Sequence, residues 1–216
     1  MQDSWIAFKL GGIMMLPLSA LAIIALAVML EKTLLYWRYT RLSSTLAEVL
    51  ESYEFNWQDL FAELEKQNKN NYLNRFFNVI VANKSHPYWW VESRAADEAQ
   101  MIENTLSRRL WLLETTVTAA PLLGLMGTIA GMMHAFQLIG SNGLVNPTGV
   151  TGGVAQALIA TAVGLLIALV SLFGFNYFAK LQSQTLDEME RLGTRLIDRI
   201  RLDQHGQPTR ESNEAA

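Results

Sequence analysis

Between Thr115 and Ala179 the chain carries no Asp, Glu, Lys or Arg, and His134 is the one side chain there whose charge can change near neutral pH. The groups left to do chemistry are hydroxyls and an amide: Thr128, Thr161, and Gln156 just over one helical turn before Thr161. Such groups orient water and hydrogen-bond a carboxylate, but they do not store a proton near pH 7. Elsewhere the chain has no glycine-rich phosphate loop, no HExxH, no nucleophile elbow and no paired carboxylates beside an apolar stretch. It has no cysteine, hence no disulfide framework and no thiolate metal site, and its three histidines (His86, His134, His205) are scattered. Neither an enzyme nor a metal or other cofactor is expected. No basic tract offers itself to nucleic acid.

These polar groups sit in two apolar stretches, 115–140 and 150–179, each long enough to cross a bilayer, for which about 20 residues suffice. The break at 141–149 carries Ser141, Asn142, Gly143, Asn146, Pro147 and Gly149, the punctuation of a tight turn. Small and hydroxyl residues recur every three or four positions. They are Thr118, Pro121, Gly124, Thr128, Gly131 and Ala135 in the first stretch. In the second they are Gly153, Ala157, Ala160 with Thr161, Gly164, Ala168 and Ser171. That period gathers each set on one helix face.

Two readings of those faces are open. One is a packing seam in which Pro121, Gly124, Gly127, Gly131, Ala157 and Gly164 let the helices approach closely, each Thr bonding back to its own helix. The other is a polar pore face, with Thr128, Thr161 and Gln156 along a proton path. Periodicity alone does not separate them.

The rest of the chain is built to hold that hairpin. Half of the 216 residues are hydrophobic, yet mean hydropathy is only +0.16, so membrane spans accompany a sizeable water-exposed part. Residues 10–34 form a third apolar span with Pro17 inside it; a cleaved signal peptide is a poorer reading, because no small-residue cleavage site precedes Glu31 and Lys32. Of the 17 basic residues, only Lys9 lies before the first span and none in the hairpin turn. All others fall in 32–109 or 180–210. By the positive-inside rule, residues 1–9 and the 141–149 turn lie outside the cell membrane, and 35–114 and 180–216 in the cytoplasm. Within 35–114, helices are expected at Leu42–Glu51, Asn56–Lys66 and Tyr72–Ala82. After a break at 84–87, a longer helix from Trp89 is expected to run unbroken into the second span. Trp89 and Trp90 are expected in the core of this domain. Residues 180–204 read as a helix and 205–216 as a disordered tail. The fold expected is all-α, with three transmembrane helices and long helical cytoplasmic extensions.

The run Ala120-Pro121-Leu122-Leu123-Gly124-Leu125-Met126-Gly127-Thr128-Ile129-Ala130-Gly131-Met132-Met133, followed by Ala155-Gln156-Ala157-Leu158-Ile159-Ala160-Thr161-Ala162-Val163-Gly164-Leu165, resembles the MotA/TolQ/ExbB proton-channel family, and most the ExbB and TolQ branch. The MotA branch, with four spans, fits less well. The resemblance implies a ring-forming homo-oligomer, in known cases a pentamer, in the bacterial inner membrane. The ring would surround the membrane helices of a single-span ExbD- or TolR-like partner, and proton flow would drive a TonB- or TolA-like protein that reaches the outer membrane. Thr128 and Thr161 match the family's pore-facing threonines. Many members have Glu where this chain has Gln156, so no carboxylate role carries over to that position. A membrane proton relay needs an ionisable carrier. The carrier expected is therefore an Asp on the partner's helix. The rival readings are a non-conducting scaffold that clusters a single-span partner and a stand-alone transporter; the chain lacks the inverted repeats and mid-membrane charges usual in the latter.

Overall fold

The computed structural model of the chain describes residues 12–40, 48–50, 56–66, 71–140 and 147–206. The expectations for residues 1–9, for 141–146, for 207–216 and for most of the Leu42–Glu51 helix lie outside the described residues. Six bounded helices follow one another: α1 Met15–Tyr39, α2 Trp57–Lys66, α3 Tyr72–Ala82, α4 Tyr88–Ser107, α5 Leu110–Gly140 and α6 Pro147–Gly206. Among the described residues there is no strand, and the class is all-α. Three segments, on α1, α5 and α6, are long and apolar enough to cross a membrane. The chain divides into two compact units, residues 1–32 with 109–179, and 33–108 with 180–216.

The first unit, which holds the apolar segments, is built inside out. Its buried positions are small, among them Ala120, Ala135, Ala157, Ala160 and Ala168, while Leu122, Leu125, Ile129, Leu158, Leu165 and Phe173 are exposed. In water this would be costly. In lipid the exposed side chains meet acyl tails, and helix association comes from backbone proximity and dispersion rather than water exclusion. α1 starts at Met15, later than the apolar run suggests, so Pro17 falls in the first helical turn. There a missing N–H leaves no carbonyl unpaired, and no kink follows. Pro121, by contrast, lies within α5.

The expected unbroken helix from Trp89 into the second span is not formed. Arg108 is extended (φ −51°, ψ 128°) and Arg109 is left-handed (φ 67°), which ends α4 and starts α5 afresh. A non-glycine residue in that conformation costs roughly 1–2 kcal/mol. No Gly or Pro marks the site, so the pattern of the sequence runs straight through it. Arg109 forms an ion pair with Glu31 of α1 within the first unit, which holds the turn in place.

The second unit is an ordinary water-type core. Leu60, Leu64, Leu73, Phe76, Phe77, Ile80, Val91, Ile102, Leu106, Met189, Leu192, Leu196 and Ile200 are buried. Each large one contributes about 1.5–3 kcal/mol by leaving water. Asn71 caps α3, accepting hydrogen bonds from the backbone N–H groups of Leu73 and Asn74. The amide of Gln204 closes the α3–α4 turn, donating to the His86 carbonyl at 2.6 Å and accepting from the Tyr88 N–H at 3.2 Å. Trp89 and Trp90 are not in this core: they are 59% and 38% exposed. Helical spacing gives the inward positions to Val91 and Ala95 instead, and the two rings meet edge to face at 6.0 Å. α6 continues to Gly206, into the tail expected to be disordered.

Candidate functional site

The hairpin of α5 and the apolar half of α6 holds the polar groups singled out above. The two helices approach so closely at their glycines that an added methyl has no room. At Gly164 it would lie 2.5 Å from the Ala120 carbonyl oxygen, and at Gly124 3.0 Å from the Cα of Thr161. At Gly131 it would lie 2.8 Å from the Ala157 Cβ, and at Gly127 2.6 Å from the Ala160 Cβ. Pro121 is half-buried beside Ala120 on the same helix. Gly153, absent from the packing set read from the sequence, faces Ala135 and the Gly131 carbonyl.

Contact at this range decides the bonding of Thr161. Its hydroxyl donates across the hairpin to the Gly124 carbonyl oxygen at 2.9 Å, a donor that only a neighbouring backbone without a Cβ can meet. Thr128 donates within its own helix, to the Leu125 carbonyl oxygen at 2.6 Å. Both threonines are half-buried. A hydroxyl whose hydrogen is committed keeps two acceptor lone pairs and has no donor left. The two oxygens can therefore receive a hydrogen bond and cannot give one while these bonds stand.

Gln156 is turned elsewhere. Its side-chain amide lies against Gly12, where a methyl would come 2.6 Å from Nε2. Gly12 has φ +71°, a left-handed turn residue whose carbonyl accepts from the N–H of Met15 at the start of α1. The amide thus meets the entry turn of the first helix, and its distance to Thr161 along α6 is bridged by no printed contact. His134 is exposed on α5. Among the described residues no group of three His, Cys, Asp or Glu could hold a metal ion.

Two buried polar groups of the first unit escaped the sequence reading. Lys32, used there only as a marker of topology, is 1% exposed. Ser171 was seen only as one step of a small-residue stripe; its Oγ is buried with no hydrogen-bond partner among the described residues. A lysine directly at the end of an apolar run is the signal that could have flagged the first. For the second there was none, because whether a serine hydroxyl finds a partner depends on rotamer and neighbours.

Residues 67–191 match the MotA/TolQ/ExbB proton channel family. The chain is 34% identical over 178 residues to a protein named as an ExbB-like 3 biopolymer transport protein in Synechocystis sp., a match that covers 79% of this chain and 82% of that one. A second Synechocystis protein, ExbB-like 1, is 30% identical over 199 residues, covering 88% and 76%. The biopolymer transport protein ExbB of Aquifex aeolicus is 38% identical over 87 residues, 40% of this chain and 59% of its own. With three apolar helices and a match over more than half its length, this membrane protein belongs to the MotA/TolQ/ExbB proton channel family, as an ExbB-like member.

Proposed function

We propose that the chain is the ring subunit of a proton-driven motor of the inner membrane, multi-pass, with its N-terminus periplasmic and its C-terminus cytoplasmic. The ring, a pentamer, encloses an ExbD- or TolR-like single-span partner that bears a membrane Asp. Proton flow between ring and partner is coupled through a TonB- or TolA-like protein to work at the outer membrane, such as TonB-dependent uptake. Thr128, Thr161 and Gln156 are assigned to the proton path, and Pro121, Gly124, Gly127, Gly131, Ala157 and Gly164 to packing of the hairpin.

The observation that carries this reading is the bonding of Thr161. A wall with no titratable group but His134 must take its proton carrier from another chain. The Thr161 and Thr128 oxygens, with their hydrogens already donated, favour a neutral carboxylic acid, which supplies the hydrogen that they accept. An ionised carboxylate is an acceptor as well and gains nothing from them. The wall therefore raises the pKa of an acid that docks on it, by preferring its protonated form. Lipid does the same: an ionised Asp at mid-membrane costs about 2.5–3.5 kcal/mol. A charge crossing the membrane potential releases about 2.3 kcal/mol per 100 mV. These magnitudes match, so protonation and release of the partner's Asp can set whether its helix rests on the wall or leaves it.

The test is potential-driven proton flux in vesicles holding the chain alone or together with a single-span partner. Flux is expected only with both chains, and only when the partner keeps its Asp. Strong conduction by the chain alone overturns the borrowed carrier. The scaffold reading draws on the same bonds, since both threonines also serve packing; it requires that coupled work persist when an uncoupler collapses the potential.

A further inference from the structure

The second unit carries an open groove of about 620 Å³ between α4 and α6. Its floor is made of small residues, Ala95, Ala99 and Gly193. Gly193 has no choice: a methyl there would meet the Phe76 ring at 2.8 Å. The rim is acidic. Glu92 and Glu103 stand on α4, Glu190 and Asp198 on α6, against the single guanidinium of Arg201, which is drawn over the Tyr88 ring at 4.9 Å. Small floors admit a helix at close range, and four carboxylates against one cation select a basic one.

The chain supplies such a helix. Arg191, Arg195 and Arg199 recur every four residues on α6, the first two exposed and the third half-buried. Successive members stand about 6 Å apart along the axis. Glu188 is the acid on that face. Arg195 lies two residues from both Gly193 and Ile197, which line the groove. Two residues is about 200° of helix rotation, so the stripe points away from the groove beside it. One copy cannot satisfy itself.

We infer that the arginine stripe of one copy seats in the acidic α4–α6 groove of the next. The two surfaces differ, so the contact is heterologous, and contacts of that kind close into rings or run on as filaments. This inference rests on the ring reading given above and assigns the residues that join neighbours outside the membrane. Ion pairs at an exposed rim add little affinity; their effect here is register and choice of partner.

The chain has no cysteine of its own, so engineered pairs report cleanly. Full-length Ala99→Cys/Arg195→Cys, purified in detergent and oxidised, is expected to give a ladder ending in a closed oligomer, because a disulfide needs Cα atoms within about 7 Å. Each single variant alone is expected to give no product, and a mixture of the two singles to give pairs only. In the double-cysteine background, Arg191→Glu with Arg199→Glu should lower the linked fraction at least about threefold, converted from roughly 0.7 kcal/mol by RT. Adding Glu190→Lys and Asp198→Lys should restore it. A product from Arg195→Cys alone means stripe meets stripe and overturns the inference. So does an unlinked double variant whose mass in detergent is that of an oligomer, which leaves the ring reading standing. A monomeric mass overturns both.

Discussion

The hydroxyl of Thr161 does two jobs that different substitutions separate. Thr161→Val removes both the bond to the Gly124 carbonyl and the acceptor offered to a partner's acid; Thr161→Ser keeps both. Energy transduction should fall at least tenfold in the valine variant and stay within about twofold in the serine variant, the first corresponding to about 1.4 kcal/mol. Uptake or motor output in cells, with membrane levels of the protein checked, measures this. Ser171 behaves oppositely. Its buried oxygen has no partner among the described residues, and exchanging an unsatisfied hydroxyl for a methyl-sized apolar group is neutral or stabilising. Ser171→Ala should therefore raise the thermal midpoint in detergent, corresponding to a gain of up to about 1 kcal/mol. In the second unit Glu98 is 9% exposed and its carboxylate is paired with Arg75. Arg75→Ala strands a nearly buried charge and should destabilise by about 1–3 kcal/mol, whereas Arg75→Ala with Glu98→Gln should recover part of the loss in the same melt.

At the scale of elements, the helices that could be read in advance are those with punctuation. Asn56 and Asn71 open α2 and α3, and the Lys84–Pro87 stretch separates α3 from α4. The three apolar segments were legible from length and lack of charge. The α4–α5 break was not, because it rests on a strained arginine and an ion pair between residues 31 and 109, a contact no local pattern contains. The outward turn of Trp89 and Trp90 was hidden for a related reason: aromatic character suggests burial, while the phase of α4 is set by Val91, Ala95, Ile102 and Leu106. Within the hairpin, spacing revealed the small faces but not which hydroxyl crosses to the other helix. The break yields its own prediction. Arg109→Gly relieves roughly 1–2 kcal/mol of backbone cost and gives up a half-exposed ion pair worth at most about 1 kcal/mol. It should be neutral or stabilising in thermal melts. Arg109→Pro, whose ring forbids a positive φ, should lower the midpoint sharply.

At the scale of the molecule, one chain uses two different solvents as its reference. In the second unit, large residues leave water, and truncating Phe77 or Leu192 opens a cavity that costs about 2–5 kcal/mol. In the first unit, small residues hold the backbones together. Gly164→Ala sets a methyl 2.5 Å from a carbonyl oxygen, and overpacking of this kind costs about 1–3 kcal/mol. Loss of folded protein from detergent extracts should register both.

The glycine seam also constrains how this chain can change over generations. A systematic scan of every substitution should read in opposite senses on the two sides of residue 109. Beyond the seam, among Leu122, Leu125, Leu165 and Phe173, any oily side chain should pass, and length should be interchangeable. Along Gly124, Gly131 and Gly164 the forbidden direction is growth by a single carbon. The hairpin can therefore drift freely in its outer coat while its spine stays frozen, so mutational tolerance should mark the lipid-facing surface as clearly as any label.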